Sequence, residues 1–180
     1  SALAAGCPVV YKANPAHPRT SEMVGAAVIK AAEICKMPDG VFSLLHGISH
    51  QVGLEIVKHP KIKAVGFTGS FKAGNAIFKT ANKRRIPIPV YAEMGSSNPV
   101  FILPGAINQK HKNIAKGLTQ SVNMGVGQFC TKPGLIFIAN SENTGTFIKE
   151  LTNEFNATLS HTMLTEEHKR NYYEKIATFD

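Results

Sequence analysis

"KIKAVGFTGSFKAGNAIFKTANKRRIPIPVYAEMG", residues 61–95, decides the fold class. Its opening is an apolar strand that runs into a glycine turn at Gly69-Ser70. "FKAGNAIFKTANKR" reads as a helix that this turn opens. "IPIPVYAEMG" is strand again; Pro87 and Pro89 withhold two ladder donors, so it lies at an edge or is just entering the sheet. Strand, helix and strand at this length make a βαβ unit and imply a parallel sheet.

The same alternation extends outward. "CPVVYK" is a short β-branched run, a buried strand ending near Lys12. Two prolines make "ANPAHPR" a loop. Thr20 or Ser21 is then placed to cap a helix with Glu22 in its first turn, and Val24, Ala27, Ala31, Ile34 and Cys35 form its apolar stripe. "MPDG" stops it, "VFSLLHG" is the next strand, and "SHQVGLEIVKHP" is a short helix behind Ser49. After "SSNPVFILPGA" the texture changes. "INQKHKNIAKGLTQSVNMG" forms a helix pointing at the loop around Cys130, "PGLIFIAN" a strand, and "TGTFIKELTNEF" and "TEEHKRNYYEKIATF" amphipathic helices. A domain boundary is expected here, dividing 1–98 from 99–180.

Composition narrows the class. The chain has 180 residues, 43% hydrophobic, enough to bury a core without disulfides. No apolar run approaches the roughly 20 residues of a membrane span, and no secretory leader is expected, since "SALAAGCPVVYK" has no basic segment before its apolar run. The chain reads as if cut from something longer. Cys7, Cys35 and Cys130 make an odd count without CxxC spacing, which points away from disulfides and zinc and toward a reducing, cytoplasmic setting. The net charge is +8, with its densest cluster, "NKRR" at 82–85, at a helix C-terminus where cations are favourable. No RNP motif, zinc finger or basic-aromatic alternation accompanies it, so neither nucleic acid nor a membrane is the expected partner. The seven histidines show no metal-ligand spacing, and His17 belongs to a loop.

Cys35 and Cys7 are expected in the core. Cys130, in "GQFCTKPG" (127–134), lies on no periodic apolar face. Gly125 and Gly127 let the backbone approach a ligand there, and Lys132 or a nearby helix N-terminus favours the thiolate. Packing residue and nucleophile both remain open on spacing alone. Glu93 ends a parallel strand, where α/β sheets bind ligands; it is either a general base or an ordinary solvated carboxylate. "GFTGS" (66–70) joins strand to helix: Gly66 and Gly69 permit a tight turn, and the free N–H groups beyond suit a pyrophosphate. Lys12, at a strand end, is placed to bond a ribose or phosphate.

Together "PVVYKANPAHPRTS", "AVGFTGS", "YAEMGSSNP" and "GVGQFCTKPG" resemble, in order and spacing, the aldehyde dehydrogenase superfamily, from about Cys7 to at least Asn140. "KANPAHP" and "GQFCTKPG" look most like its fatty-aldehyde and 2-oxoglutarate-semialdehyde (2,5-dioxovalerate) branch. The resemblance implies a Rossmann-like parallel sheet with flanking helices, with 1–98 the later part of an NAD(P)-binding domain and 99–180 the start of a catalytic domain. It implies Cys130 as the nucleophile that becomes a thioester and Glu93 as the base for the water that hydrolyses it. It places Lys12 at the adenosine ribose, Gly66, Thr68, Gly69 and Ser70 around the pyrophosphate, Gly95 beside the nicotinamide, and Phe129 at the aldehyde tunnel. A small-molecule aldehyde, 2,5-dioxovalerate or a fatty aldehyde, is the implied substrate and a homo-oligomer the implied full-length state.

The departures also carry expectations. Ser96 stands where a second glycine is common. Pro15 stands where many members have a carboxylate three positions past the strand-end lysine, so NADP is expected to serve at least as well as NAD. The upstream oxyanion asparagine and the downstream E-x-F-G-P segment lie outside the chain, so the isolated chain is expected to be inactive. Two alternatives stay open: a relative that passes the acyl group to coenzyme A, against which the carboxylate of Glu93 argues, and a non-catalytic module that binds through its basic surface.

Overall fold

A computed structural model describes residues 2–178. The chain divides into two compact units, Ser1–Glu93 and Met94–Asp180. The first holds strands β1 (Val9–Lys12), β2 (Phe42–Leu45), β3 (Val65–Thr68) and β4 (Val90–Glu93), with helices α1 (Pro18–Ile34), α2 (His50–Lys58) and α3 (Phe71–Asn82). The second holds β5 (Pro99–Ile102) and β6 (Leu135–Ile138), with α4 (Pro104–Asn123), α5 (Thr144–Asn156) and α6 (Glu166–Ile176). The last helix was expected through Phe179, which lies outside the described residues.

All strand pairing is parallel: β1 with β2, β3 with β4, and β5 with β6. Each pair is joined through at least one helix, as parallel neighbours require. The three pairs are separate two-stranded ladders. The first unit's core is Val57, Ala81 and Ile88, against which Ile62, Val65, Ile77 and Val90 pack. The second's is Ile102, Ile107, Ala115, Leu118 and Phe147, with Val100, Ile136 and Ile138 supplied by the sheet. On the opposite face of β5–β6 the register partners Phe101 and Phe137 stack with ring centroids 4.9 Å apart.

Several local expectations are corrected. β5 was not anticipated as a strand; it begins at a proline, which a ladder tolerates at its first position. The N-cap of α1 is His17, with Pro18 in the first turn, not Thr20 or Ser21, and no acidic residue lies in that turn. A proline there loses nothing, because the first helical N–H groups lack partners anyway. The face of α1 that goes inward is Ser21, Gly25, Val28 and Ala32, whereas Val24 and Ile34 are 60% and 72% exposed. Close packing decides this: a Cβ on Gly25 would lie 3.0 Å from Leu44 Cδ2, so β2 approaches the helix over its small residues. Cys35 is therefore exposed, and Cys7, which precedes β1, is exposed too.

Within the basic cluster, Arg84 is not simply solvated. Its Nη1 donates to the carbonyls of Val57 (3.0 Å) and Ile62 (2.9 Å), tying the end of α3 to the end of α2. Among the described residues no helix is long and apolar enough to cross a membrane.

Phe147 and Ile107 are the largest fully buried side chains. Phe147→Ala is expected to destabilise the second unit by about 3–5 kcal/mol through lost burial and the cavity left behind. A urea titration that leaves the midpoint where it was would contradict this core assignment.

Candidate active site

The first unit gathers its candidate residues at two strand ends. β3 leads through Gly69 to Ser70, whose Oγ caps α3 by accepting from Ala73 N at 3.3 Å. β4 runs alongside with Thr68 opposite Glu93, and Gly69 N donates to the Glu93 carbonyl at 3.0 Å. Thr68, Gly69, Ser70 and Glu93 are thus brought together, with the Glu93 side chain exposed. A Cβ on Gly69 would lie 2.6 Å from the far end of the Phe67 ring, which would have to turn aside. Gly66, expected to help form the turn, instead sits inside β3 opposite Tyr91, and an added Cβ would meet open space. Gly95, just past β4, is equally open.

The start of α3 fits a phosphate group. Ser70 engages Ala73 N, while the backbone N–H groups of Phe71 and Lys72 have no acceptor among the described residues. Two free donors at the positive end of a helix dipole suit an anion. Lys12 ends β1 opposite Leu45, and Ala13 after it is buried with its N–H on the Leu45 carbonyl at 2.8 Å. Pro15 is exposed in the following turn, which Asn14 Oδ1 braces by accepting from Ala16 N at 2.9 Å. No ladder joins the β1–β2 pair that carries Lys12 and Pro15 to the β3–β4 pair.

Cys130 belongs to the second unit. α4 ends at Asn123 and passes into a one-turn 3-10 helix, Met124–Gly127, in which Gly125, Val126 and Gly127 have φ of 58°, 60° and 70°. Glycine enters this left-handed region freely, but a β-branched valine there is strained. The Phe129 ring occupies the space a Cβ on Gly125 would need. Lys132 N then donates to the Phe129 carbonyl at 3.1 Å, closing a turn with Cys130 and Thr131 at its tip and the cysteine exposed. Among the described residues nothing accepts from the backbone N–H of Cys130 or Thr131.

Three residues that sequence reasoning gave no role hold this turn. Asn98 Nδ2 donates to the carbonyls of Cys130 (2.6 Å) and Lys132 (2.9 Å). Ser97 O accepts from Gly134 N at 2.9 Å. Gln128 donates to the Gly125 carbonyl (2.8 Å) and accepts from Leu164 N (3.0 Å), tying the turn to the segment before α6. The one available signal was "NP" before an apolar run, since asparagine is the side chain that most readily takes a left-handed backbone. Ser97 and Asn98 therefore belong structurally with the cysteine turn, and the division falls at Glu93–Met94.

Comparison with known proteins places these motifs. The pattern described as "Aldehyde dehydrogenase family" matches residues 1–168. The chain belongs to the aldehyde dehydrogenase family. Alpha-ketoglutaric semialdehyde dehydrogenase 2 of Azospirillum brasilense is 50% identical over 147 residues, covering 82% of this chain and 28% of the relative. Alpha-ketoglutaric semialdehyde dehydrogenase of Acinetobacter baylyi is 42% identical over 176 residues, covering 98% of this chain and 33% of the relative. The chain thus spans about a third or less of these dehydrogenases. An NAD-dependent aldehyde dehydrogenase from Sinorhizobium meliloti shares the fold with a TM-score of 0.77 at 20% identity, covering 96% of this chain and 34% of that one. A variant of proline utilization A from Bradyrhizobium japonicum does so with a TM-score of 0.82 at 24% identity, covering 98% and 18%. The α/β reading of the sequence agrees with this.

Gly134 packs directly against backbone. A Cβ there would lie 2.7 Å from the Ser97 carbonyl oxygen, and backbone cannot swing away as a side chain can. Gly134→Ala is expected to cost about 1–3 kcal/mol, as overpacking does, and Gly69→Ala less, because the Phe67 ring can turn. Thermal melts of the two variants check the order; a Gly69→Ala loss equal to that of Gly134→Ala would refute it.

Proposed function

We propose that this chain is the part of an NAD(P)-dependent aldehyde dehydrogenase that carries the nucleophile and the base. The whole enzyme, a homo-oligomer in the cytoplasm, oxidises 2-oxoglutarate semialdehyde (2,5-dioxovalerate) to the carboxylate. The observation that supports this most is the exposed Cys130 at the tip of a braced turn, with unpartnered N–H groups at Cys130 and Thr131, in a chain of this family. The names of the Azospirillum and Acinetobacter relatives support the substrate.

In this reading the thiolate of Cys130 adds to the aldehyde carbon, forming a C–S bond and moving the carbonyl π electrons onto oxygen. A bound nicotinamide would supply the two-electron oxidation that converts this adduct on Cys130 to the thioester. Glu93 removes a proton from water, whose oxygen attacks the thioester carbon on Cys130. The C–S bond then breaks, the thiolate is restored, and the product leaves as the carboxylic acid, which loses its remaining proton to water. A covalent intermediate divides one hard oxidation into two easier steps. The free N–H groups at the start of α3, with Thr68, Gly69 and Ser70, would hold the pyrophosphate, and Gly66 lies on the strand leading to them. Lys12 would hold the ribose, and Gly95 would leave room for the nicotinamide.

Two outcomes test this in the whole enzyme. Cys130→Ala is expected to abolish oxidation while cofactor binding persists. Glu93→Gln is expected to retain a reduced-nicotinamide burst and lose about 10²–10⁴-fold in steady-state turnover, with the acyl adduct trapped on Cys130. Unchanged turnover in Glu93→Gln would remove the base assignment.

Cofactor choice follows from charge. Pro15 brings no negative charge to repel a 2′-phosphate, and Lys12 is positive. A charge-assisted hydrogen bond contributes about 1.5–3 kcal/mol, or roughly one to two decades of affinity. NADP is therefore expected to serve at least as well as NAD. A kcat/KM for NAD more than about tenfold above that for NADP, beyond a 1.4 kcal/mol difference, would show that another residue sets the choice.

A further inference from the structure

We propose that Asn98 is a positioning residue for the thiol of Cys130, an inference that rests on the reading of Cys130 as the nucleophile. One planar amide group donates to two carbonyls, those of Cys130 at 2.6 Å and Lys132 at 2.9 Å. With the bond from Lys132 N to Phe129 O at 3.1 Å, it holds both sides of the turn that presents the thiol. The chain approaching that turn runs through left-handed backbone at Gly125, Val126 and Gly127 and belongs to no ladder there, so bonds from Asn98 add a restraint that the turn's own backbone does not supply.

The direction of the Cys130 carbonyl also sets the other side of its peptide plane. No cis peptide bond occurs among the described residues. In a trans peptide the N–H points opposite the preceding C=O. Drawing the Cys130 carbonyl toward Asn98 therefore turns the Thr131 N–H away from it, where nothing among the described residues accepts it. The clamp orients the thiol and this free donor together.

Asn98 is itself held. Its φ is +40°, its N–H donates to Ser96 Oγ at 3.2 Å, and Pro99 after it opens β5 opposite Leu135. The site selects the residue type. Glycine would accept the backbone angle but bring no donor. Aspartate would set a carboxylate against two carbonyl oxygens. Glutamine, one methylene longer, would displace the amide. Asparagine alone combines the tolerated left-handed backbone with two short-reach N–H donors.

The test uses the whole enzyme in the Glu93→Gln background, where acyl adduct on Cys130 accumulates and is read by rapid quench and peptide mass spectrometry. Asn98→Asp and Asn98→Ala are compared with the parent, and iodoacetamide labelling of Cys130 is followed alongside Cys7 and Cys35. Misplacement of a reacting group by about 1 Å costs about 10²-fold. The expected result is an adduct formation rate lowered on that order at undiminished final amplitude, with labelling altered at Cys130 alone. A fall in amplitude at an unchanged rate, or equal acceleration of all three cysteines, is the mark of general loosening and overturns the proposal. A parent that forms no adduct on Cys130 overturns the nucleophile reading and this one with it. Adduct formation at the parent rate in both Asn98 variants overturns this one alone.

Discussion

Parallel strands cannot be joined by a tight turn, and that constraint governs both units. Each of the three ladders, β1–β2, β3–β4 and β5–β6, closes only through an intervening helix. The backbone that leaves a strand must therefore turn at once toward a helix, and the turn is where unpaired N–H groups and small residues collect. Gly69 and Ser70 after β3 are the plainest case. Glu93 shares that strand end because the register sets it opposite Thr68. Lys12 occupies the equivalent end of β1 and is followed by the buried Ala13.

The cysteine turn uses the same logic in reverse, lying before a strand. Left-handed backbone at Gly125, Val126 and Gly127 carries the chain off the end of α4, and β6 begins at Leu135. Between these points the chain has no regular structure to hold it. Besides the bonds within the turn and those of Gln128, its hydrogen bonds come from Ser97 and Asn98, the two residues that precede the partner strand β5. The β5–β6 ladder and the turn thus support one another, and Gly134 is small because the Ser97 carbonyl passes so close.

Much of this was legible locally. The short helix behind Ser49, the strand-turn-helix at "GFTGS" and the helix behind it follow from side-chain chemistry within a few residues, and the structure has them in place. The apolar spacing of α1 was misleading for an equally physical reason. Val24, Ala27, Ala31 and Ile34 make a convincing stripe, yet β2 packs closest where side chains are smallest, at Ser21 and Gly25. Contact distance outweighed periodicity, and Cys35 came to the outside with the stripe.

Apart from β5, the alternation of elements was legible in the sequence, with the parallel pairing it implies and the family, because periodicity and short motifs are local properties written in order along the chain. The tertiary structure alone decided that all three cysteines are exposed, that Arg84 is spent on the carbonyls of α2 and the segment after it, and that Asn98 braces Cys130. Those outcomes depend on residues 27 and 32 positions apart in the chain, for Val57–Arg84 and Asn98–Cys130, coming within hydrogen-bond distance. Helix packing and strand register bring them there, and neither leaves a local mark on the residues that meet.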